Sequence, residues 1–224
     1  MTTTTNLTAL GRVVSLFELT VASFIVIGHN VFHILPNEVP ILFVLGWISL
    51  RLRDGGWKVV GLRRPRSWWS TVALGFVAAF VLQAGSELVV GPAVAHIWPV
   101  PQEVSHLFTP AAPNWTWMLT SLALVWTFAA FGEEMSYRGY LLTRAADIGG
   151  RSSAAYWLSM IAIAVLFGFG HYYKGHAGVA DSTYSGLVLG AVYLLWSRNL
   201  WTAILAHGIS DTFAVIVVFA DWAS

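Results

Sequence analysis

The sequence predicts an all-α protein whose helices cross a membrane about seven times as a bundle. The 224 residues are 57% hydrophobic and only 10% charged, whereas soluble domains average roughly 25% charged residues. The apolar residues form seven stretches that approach the length of a membrane-spanning helix. The twelve tryptophans suit the two membrane–water interfaces, where an apolar ring with one polar N–H group is stable.

The predicted spans follow from the thickness of a bilayer, since a helix needs about 20 residues to cross about 30 Å of hydrocarbon. The second and sixth spans are short for a complete crossing. The segments 91–114 and 172–183 are predicted loops, and the first of them is rich in proline. The seven spans lie near 11–35, 39–52, 68–90, 115–143, 154–171, 184–197 and 200–220.

Basic residues predict the topology of a multi-pass protein of the cell membrane. They concentrate in the loop between spans two and three and recur at alternate turns, a pattern typical of cytoplasmic loops. We therefore assign residues 1–114 to N-terminal transmembrane helices with a basic cytoplasmic loop. The basic residues concerned are Arg51, Arg53, Lys58, Arg63, Arg64, Arg66, Arg144, Arg151 and Arg198.

Charge and cysteine content exclude several classes of function. A net charge of +1 argues against a nucleic-acid partner. The absence of cysteine excludes disulfides, thiolate metal sites and a cysteine nucleophile. The lipid bilayer is therefore the first partner that we expect.

Six charged or imidazole side chains interrupt the later apolar stretches. Such groups are costly at bilayer depth, and those that occur usually face a bundle interior or a water-filled cavity and mark function. They lie within about a hundred residues of one another, which indicates an active site inside the membrane. The six are Glu133, Glu134, Arg138, His171, His207 and Asp211.

The spacing of these residues places some of them together. On a helix Glu134 and Arg138 share one face at i,i+4, whereas Glu133 points about 100° away. His207 and Asp211 lie one turn apart in the same way. Each motif alone also fits a structural role, as a salt bridge, a core histidine or a His–Asp hydrogen bond, but their combination favours a site.

The three motifs Glu-Glu-x-x-x-Arg, Phe-x-x-x-His and His-x-x-x-Asp, in this order, resemble those of the CAAX protease and bacteriocin-processing (CPBP, or Abi) family. The resemblance covers about residues 117–215, and Gly61-Leu62-Arg63-Arg64-Pro65 is similar to a further family element. It implies a multi-pass helical intramembrane endopeptidase with its catalytic groups in a cavity in the bilayer, and residues 115–220 would be its CPBP-like catalytic core. Its substrate would be a peptide or protein, and one associated with a membrane is compatible with this site.

The resemblance also implies roles for the residues that match. Glu133 would be the general base that takes a proton from the attacking water. His171 would bind and orient that water, and His207 would donate a hydrogen bond to the developing oxyanion. We expect three helices to bring these three side chains around a single water molecule.

The remaining matched residues would support the catalytic groups. Arg138 would hold Glu134, which would brace the site. Asp211 departs from part of the pattern, because the family often has asparagine there, and an ionised aspartate has no proton to donate to an oxyanion. We expect Asp211 to orient His207 or to stabilise its imidazolium form.

Zinc bound by Glu133, His171 and His207 is an alternative to a metal-free reaction. The sequence has no His-Glu-x-x-His pair, and the resemblance implies glutamate-dependent hydrolysis, so we favour the metal-free form without a cofactor. Glu18 and Glu87 also lie in apolar stretches, and we leave both outside the predicted site. The sequence does not identify substrate-binding residues or an oligomeric state.

Two other functions fit the same class of chain. One is a non-catalytic membrane scaffold or immunity protein of the same fold. The other is an ion-coupled transporter, since buried carboxylates and histidines also form proton relays. The chain has no duplicated half, and its polar residues form one C-terminal group, which argues against a transporter.

Overall fold

The computed structural model describes residues 8–98 and 114–223, with side chains described to residue 220. Over these residues the chain forms seven helices, and the predicted all-helical fold is confirmed. In chain order they are α1 (Ala9–Asn30), α2 (Glu38–Arg53), α3 (Trp68–Ile97), α4 (Trp115–Ile148), α5 (Ser153–Phe169), α6 (Gly175–Leu195) and α7 (Leu200–Ala223).

Five of the seven helices in the described part of the chain are long and apolar enough to cross a membrane. These are α1, α3, α4, α6 with the 3₁₀ turn that precedes it, and α7. The helices α2 and α5 have 16 and 17 residues and are shorter. The chain is therefore a polytopic helical membrane protein, and each predicted span corresponds to one helix.

The prediction of a short sixth span was wrong. The helix α6 runs over Gly175–Leu195, so most of the predicted loop 172–183 is helical. Polar residues at the start of α6 make this part of the sequence resemble a loop. In the structure it is helical, and α6 packs closely along α5. A side chain at Gly186 would lie 2.8 Å from the backbone of Ala164, so this glycine permits the close approach typical of small residues between membrane helices.

The predicted boundaries of the third and fourth spans also need correction. The helix α3 continues to Ile97 through a π-helical turn at Ser86–Val90, so the predicted loop 91–114 begins later. The rest of that loop, 99–113, lies outside the described residues. In α4 the hydrogen bonding is π-helical over Val125–Leu141 rather than α-helical, and such widened turns are frequent at functional sites.

The helix α4 lies at the centre of the bundle and positions the site. It packs against α2 and α7 along its π-helical part and against α1 and α5 near its C-terminal end. Every helix that contributes to the site described below therefore contacts α4 or an immediate neighbour of α4.

A cluster of buried charges joins the helix ends next to the predicted cytoplasmic loops. It consists of three arginines and three carboxylates, and we call it the arginine cluster. Arg144 of α4 is fully buried and binds Asp54 at 2.7 Å, Asp147 at 3.0 Å and Glu18 at 3.2 Å. Arg53 binds Glu18 at 2.6 Å. Arg151 binds Asp54 and Asp147.

Arg151 shows how these charges are satisfied. Burial alone would lower the pKa of its guanidinium, but the hydrogen bonds that it donates to Asp147 and Asp54 outweigh burial and raise that pKa above its usual value. The cluster thus contains Glu18, which the sequence places in an apolar stretch, and it lies apart from the predicted catalytic residues.

The segment that begins at Gly61 docks on the turn between α6 and α7. The backbone N–H of Leu200 donates to the Gly61 carbonyl at 3.1 Å, and the Tyr193 hydroxyl donates to the Val60 carbonyl at 2.7 Å. Gly61 has φ +106° and lies against the carbonyl of Arg198. Any other residue would be strained here, because both the backbone angle and the space require glycine.

Candidate active site

The helices α4 and α7 meet through Glu134. Glu134 is fully buried, and its Oε1 accepts a hydrogen bond from Arg138 Nη1 at 2.7 Å, as the i,i+4 spacing predicts. The same oxygen lies 2.9 Å from His207 Nδ1 on α7. Because a carboxylate oxygen only accepts, His207 donates through Nδ1.

Arg138 also reaches α5 and α6. Its guanidinium lies 4.5 Å above the centre of the Phe167 ring, a cation–π contact. Its Nη2 donates to the Gly186 carbonyl at 3.4 Å. Arg138 therefore ties Glu134 to two further helices, and this fixes the position of the glutamate.

His207 lies between two carboxylates. Its Nε2 is 3.5 Å from Asp211 Oδ2, one turn further along α7. That separation is longer than an ordinary N–H···O hydrogen bond of 2.7–3.2 Å. The Asp211 side chain is 37% exposed, whereas His207 is buried. The Nε2 side of the ring therefore faces the more open part of the site.

His171 follows directly after the end of α5. The helix ends at Phe169, within the Phe-Gly-Phe-Gly run that predicts a bend or an end. His171 Nδ1 lies 3.0 Å from the Phe167 carbonyl oxygen. Since a carbonyl only accepts, Nδ1 carries the proton, and Nε2 of the neutral ring is left with a lone pair that can accept a hydrogen bond.

Phe167 brings the two histidines together. Its ring centre is 4.7 Å from that of His171 and 6.2 Å from that of His207. Tyr137 of α4 packs on the same ring edge to face at 4.9 Å. The phenylalanine of the Phe-x-x-x-His motif is thus the apolar centre of the site.

Glu133 is half-buried beside this group. Its Oε2 is buried and makes no hydrogen bond to the described residues. Its charge interacts electrostatically with His207, Asp211 and Glu38. Glu133 and His171, both described, are not hydrogen-bonded to each other.

The structure adds Glu38 and His29, which the sequence analysis did not assign to the site. Glu38 is the first residue of α2, and its Oε2 lies 3.4 Å from His29 Nε2 at the end of α1. An acidic residue in the first helical turn, after Asn37, is typical of a helix start. No sequence signal distinguishes Glu38 from such a residue, because only the packing of α2 on α4 places it near Glu133.

Zinc does not fit these residues. Among the residues the structure describes, no three His, Cys, Asp or Glu side chains are arranged to hold a metal ion. Both ring nitrogens of His207 face carboxylates, so neither offers a free lone pair to a metal ion. His207 therefore does not suit the alternative in which it binds zinc together with Glu133 and His171.

Comparison with known proteins agrees with the motifs. Residues 114–213, slightly less than half of the chain, match the family described as "Rce1-like: Type II CAAX prenyl endopeptidase Rce1-like". This match supports a relationship of the segment to the CAAX protease family. The matched segment contains all six predicted site residues. No curated protein and no solved structure gives a significant match to the chain.

Proposed function

We propose that this protein is an intramembrane endopeptidase of the CAAX protease type in which Glu133 activates water to hydrolyse a peptide bond. The observation that carries the proposal is a pair of available acceptor atoms on two of the motif residues. One is the buried Glu133 Oε2, and the other is the Nε2 lone pair that the Phe167 carbonyl leaves on His171.

A water molecule held by both acceptors would be oriented for attack. It would donate one hydrogen to Glu133 and the other to His171 Nε2, which directs an oxygen lone pair at the substrate carbonyl carbon. Glu133 takes the first proton as the C–O bond forms, and it then gives that proton to the amine nitrogen as the C–N bond breaks. General acid–base catalysis by one positioned carboxylate accounts for both transfers.

His207 would stabilise the oxyanion of the tetrahedral intermediate. Its Nδ1–H is held by Glu134, which Arg138 fixes in turn. Among the described residues its Nε2–H faces Asp211 at the long distance of 3.5 Å, and it can turn to the substrate oxygen. Donors of this kind act on charge that develops in the transition state, where they contribute most to rate.

We place the protein in the cell membrane as a multi-pass enzyme with the basic loops in the cytoplasm. Its partners would be the lipid bilayer and a peptide or protein substrate, and the reaction would need no cofactor. The removal of metal ions with a chelator should therefore leave cleavage unchanged. A loss of activity that added zinc restores would contradict the metal-free mechanism.

The test is the variant Glu133→Gln, which keeps the size of the side chain but removes the base. We expect a folded, membrane-inserted protein whose cleavage rate falls by about 10²–10⁴-fold. Substrates are found by comparing protein N-termini between cells that carry the active enzyme, cells that carry Glu133→Gln and cells that lack the gene.

The matched control is Glu87→Gln, which makes the same chemical change at an exposed position on α3. This variant should cleave as the unchanged protein does. Full cleavage by Glu133→Gln would refute the assignment of the base. A biological phenotype that survives in Glu133→Gln would point instead to the scaffold or immunity function.

A further inference from the structure

We propose that substrate enters this site from the end of the bundle opposite the arginine cluster, as a peptide segment that lies in the non-cytoplasmic half of the membrane. The inference deepens the proposed endopeptidase function and rests on it. It is carried by where the helices end and by where burial changes along α4 and α7.

One group of helix ends forms what we call the closed end of the bundle. Asp54, directly after α2, binds Arg144 and Arg151 near the turn between α4 and α5. Gly61, further along the same connection, accepts a hydrogen bond from the backbone N–H of Leu200 at the start of α7. The basic residues that predict cytoplasmic loops all lie in these connections or in the last turns beside them.

The other helix ends meet around His171 at what we call the open end. Glu38 Oε1, at the start of α2, lies 3.7 Å from the point where a side chain on Gly170 would begin. Trp98, directly after α3, stacks on His176 near the start of α6, with ring centres 5.6 Å apart. The turn between α5 and α6, which carries His171, therefore belongs to the end opposite the basic connections.

Burial along α4 changes at the candidate site. Ala130 is the first buried residue of this helix, and most residues from there to Asp147 are buried. None of residues 115–129 is buried. Glu133 and Glu134 thus lie where the enclosed part of α4 begins.

Burial along α7 changes beside the same residues. Most residues from Leu200 to Ser210 are buried, including His207, whereas none of residues 211–220 is. Asp211 begins this second part, with a side chain that is 37% exposed. The helix extends about 18 Å beyond Asp211, to Ala223.

Two short helices account for these changes. The helices α2 and α5 have 16 and 17 residues, and at the open end they stop at Glu38 and Phe169, next to the site. The parts of α4 and α7 that continue beyond this depth therefore lose the cover that α2 and α5 provide. We call the space bordered by residues 115–129, 171–174 and 211–220 the entry recess.

The entry recess joins apolar helix segments to polar groups at their base. Charged and imidazole groups at bilayer depth usually face a bundle interior or a water-filled cavity. A peptide segment within the membrane suits this arrangement, because its side chains are apolar while its backbone carbonyls need hydrogen-bond donors. The exposed apolar residues of the two helix segments include Leu119, Leu124, Phe128, Phe213 and Ile216.

The closed end offers no comparable route through the part of the chain that the structure describes. A side chain on Gly139, between Glu133 and the arginine cluster, would lie 3.2 Å from the Trp57 ring and 3.5 Å from Leu200. Beyond it Arg144 is fully buried among its carboxylates. Substrate and water therefore reach Glu133 from the open end.

The only two lysines of the chain lie at the two ends. Lys174 is exposed at the rim of the entry recess, and its ammonium group lies 5.6 Å from the centre of the Tyr173 ring. That ring centre is 5.9 Å from the centre of the His171 ring. Lys58 is exposed in the connection between α2 and α3, at the closed end.

The first experiment tests which side of the membrane the recess faces. The chain has no cysteine, so Lys174→Cys and Lys58→Cys each introduce a single thiol by the same replacement. In right-side-out membrane vesicles a membrane-impermeant maleimide should label Lys174→Cys, and it should label Lys58→Cys only after detergent opens the vesicles. Labelling of both variants from the same side, or of Lys174→Cys only after opening, would overturn the proposal.

The second experiment tests entry itself. It measures kcat/KM for a peptide that contains an identified cleavage site, with the full chain in lipid nanodiscs, where reagents reach both ends. A bulky polymer attached to Lys174→Cys should lower kcat/KM by about tenfold or more, because it obstructs association of the substrate. The same polymer on Lys58→Cys should leave kcat/KM unchanged. Unchanged cleavage by fully modified Lys174→Cys would overturn the proposal.

Each variant is compared before and after modification, so an effect of the substitution itself does not enter the result. Should Lys174→Cys fail to insert, Tyr173→Cys takes its place with the same expected results, since Tyr173 is 39% exposed at the same rim.

The two proposals fail in distinguishable ways. If Glu133→Gln is inactive while the polymer on Lys174→Cys leaves cleavage intact, entry from the open end is rejected and the proposed function stands. If Glu133→Gln cleaves normally while the polymer still blocks cleavage, the assignment of the base is rejected and entry from the open end stands.

Discussion

Two clusters of buried charge lie on the same central helix, and they differ in how completely their polar atoms are paired. In the arginine cluster Arg144 binds three carboxylates, and each of those carboxylates binds a second arginine. In the candidate site, less than two turns earlier on α4, Arg138 has a single carboxylate partner among the described residues, Glu134. In the site, one buried oxygen on each of Glu38, Glu133 and Glu134 makes no hydrogen bond to any residue that the structure describes.

The difference separates a stabilising role from a chemical one. A buried charge is tolerable when its partners satisfy it, and the arginine cluster meets this condition with three positive and three negative groups. A buried oxygen without a partner costs free energy of folding and is retained where a ligand or a reaction needs it. The contrast predicts that substitutions in the two clusters affect different measurements.

The largest effect on stability should come from Arg144→Ala. This change leaves Asp54, Asp147 and Glu18 short of a partner in a buried environment, and the breaking of a buried pair costs about 3–5 kcal/mol. We expect less folded protein in the membrane and a lower melting temperature. The kcat/KM of the molecules that do fold should be close to that of the unchanged enzyme.

Arg144→Lys is the matched comparison for that prediction. It keeps the positive charge but loses the planar guanidinium that binds three carboxylates. Its thermal stability should therefore lie between that of the unchanged protein and that of Arg144→Ala. Normal thermal stability of Arg144→Ala would show that the arginine cluster contributes nothing to the free energy of unfolding. The contrast between a stabilising cluster and a catalytic site would then be wrong.

A large effect on activity, with little effect on stability, should come from His171→Ala. The side chain is half-buried and its hydrogen bond lies at the end of α5, so packing loses little. Water without its second acceptor is misplaced for attack, and misplacement of this kind costs about 10²-fold in rate. The measurement is kcat/KM for the peptide together with the melting temperature.

His171→Gln sharpens this result because it restores an acceptor of similar reach. We expect partial recovery of kcat relative to His171→Ala. Equal activity of the alanine variant and the unchanged protein would remove His171 from the mechanism and would leave only Glu133 to hold the water.

The smallest effect should come from Asp211→Asn, which introduces the residue that the family often carries. The Asp211 side chain is 37% exposed and lies 3.5 Å from His207, so the contact is worth about 1 kcal/mol or less. Cleavage should change by less than about tenfold. A loss comparable to that of Glu133→Gln would show that Asp211 takes part in the chemistry.

Much of this protein follows from local features of the sequence. Apolar stretches of helical length predict the membrane class, because a span is a continuous segment whose own composition decides its insertion. The contact of Glu134 with Arg138 follows from helical spacing alone. The end of α5 at Phe169 follows from the glycines that interrupt it.

Other features depend on contacts between residues far apart in the chain, and only the tertiary structure decided them. The start of α6 at Gly175 depends on packing against α5. In the arginine cluster, Arg144 of α4 binds Asp54, which lies 90 positions earlier in the chain. The nearness of Glu38 to Glu133 depends on how α2 lies on α4. A single sequence carries no signal for such pairs, because the free energy that brings them together comes from the packing of whole helices rather than from neighbouring residues.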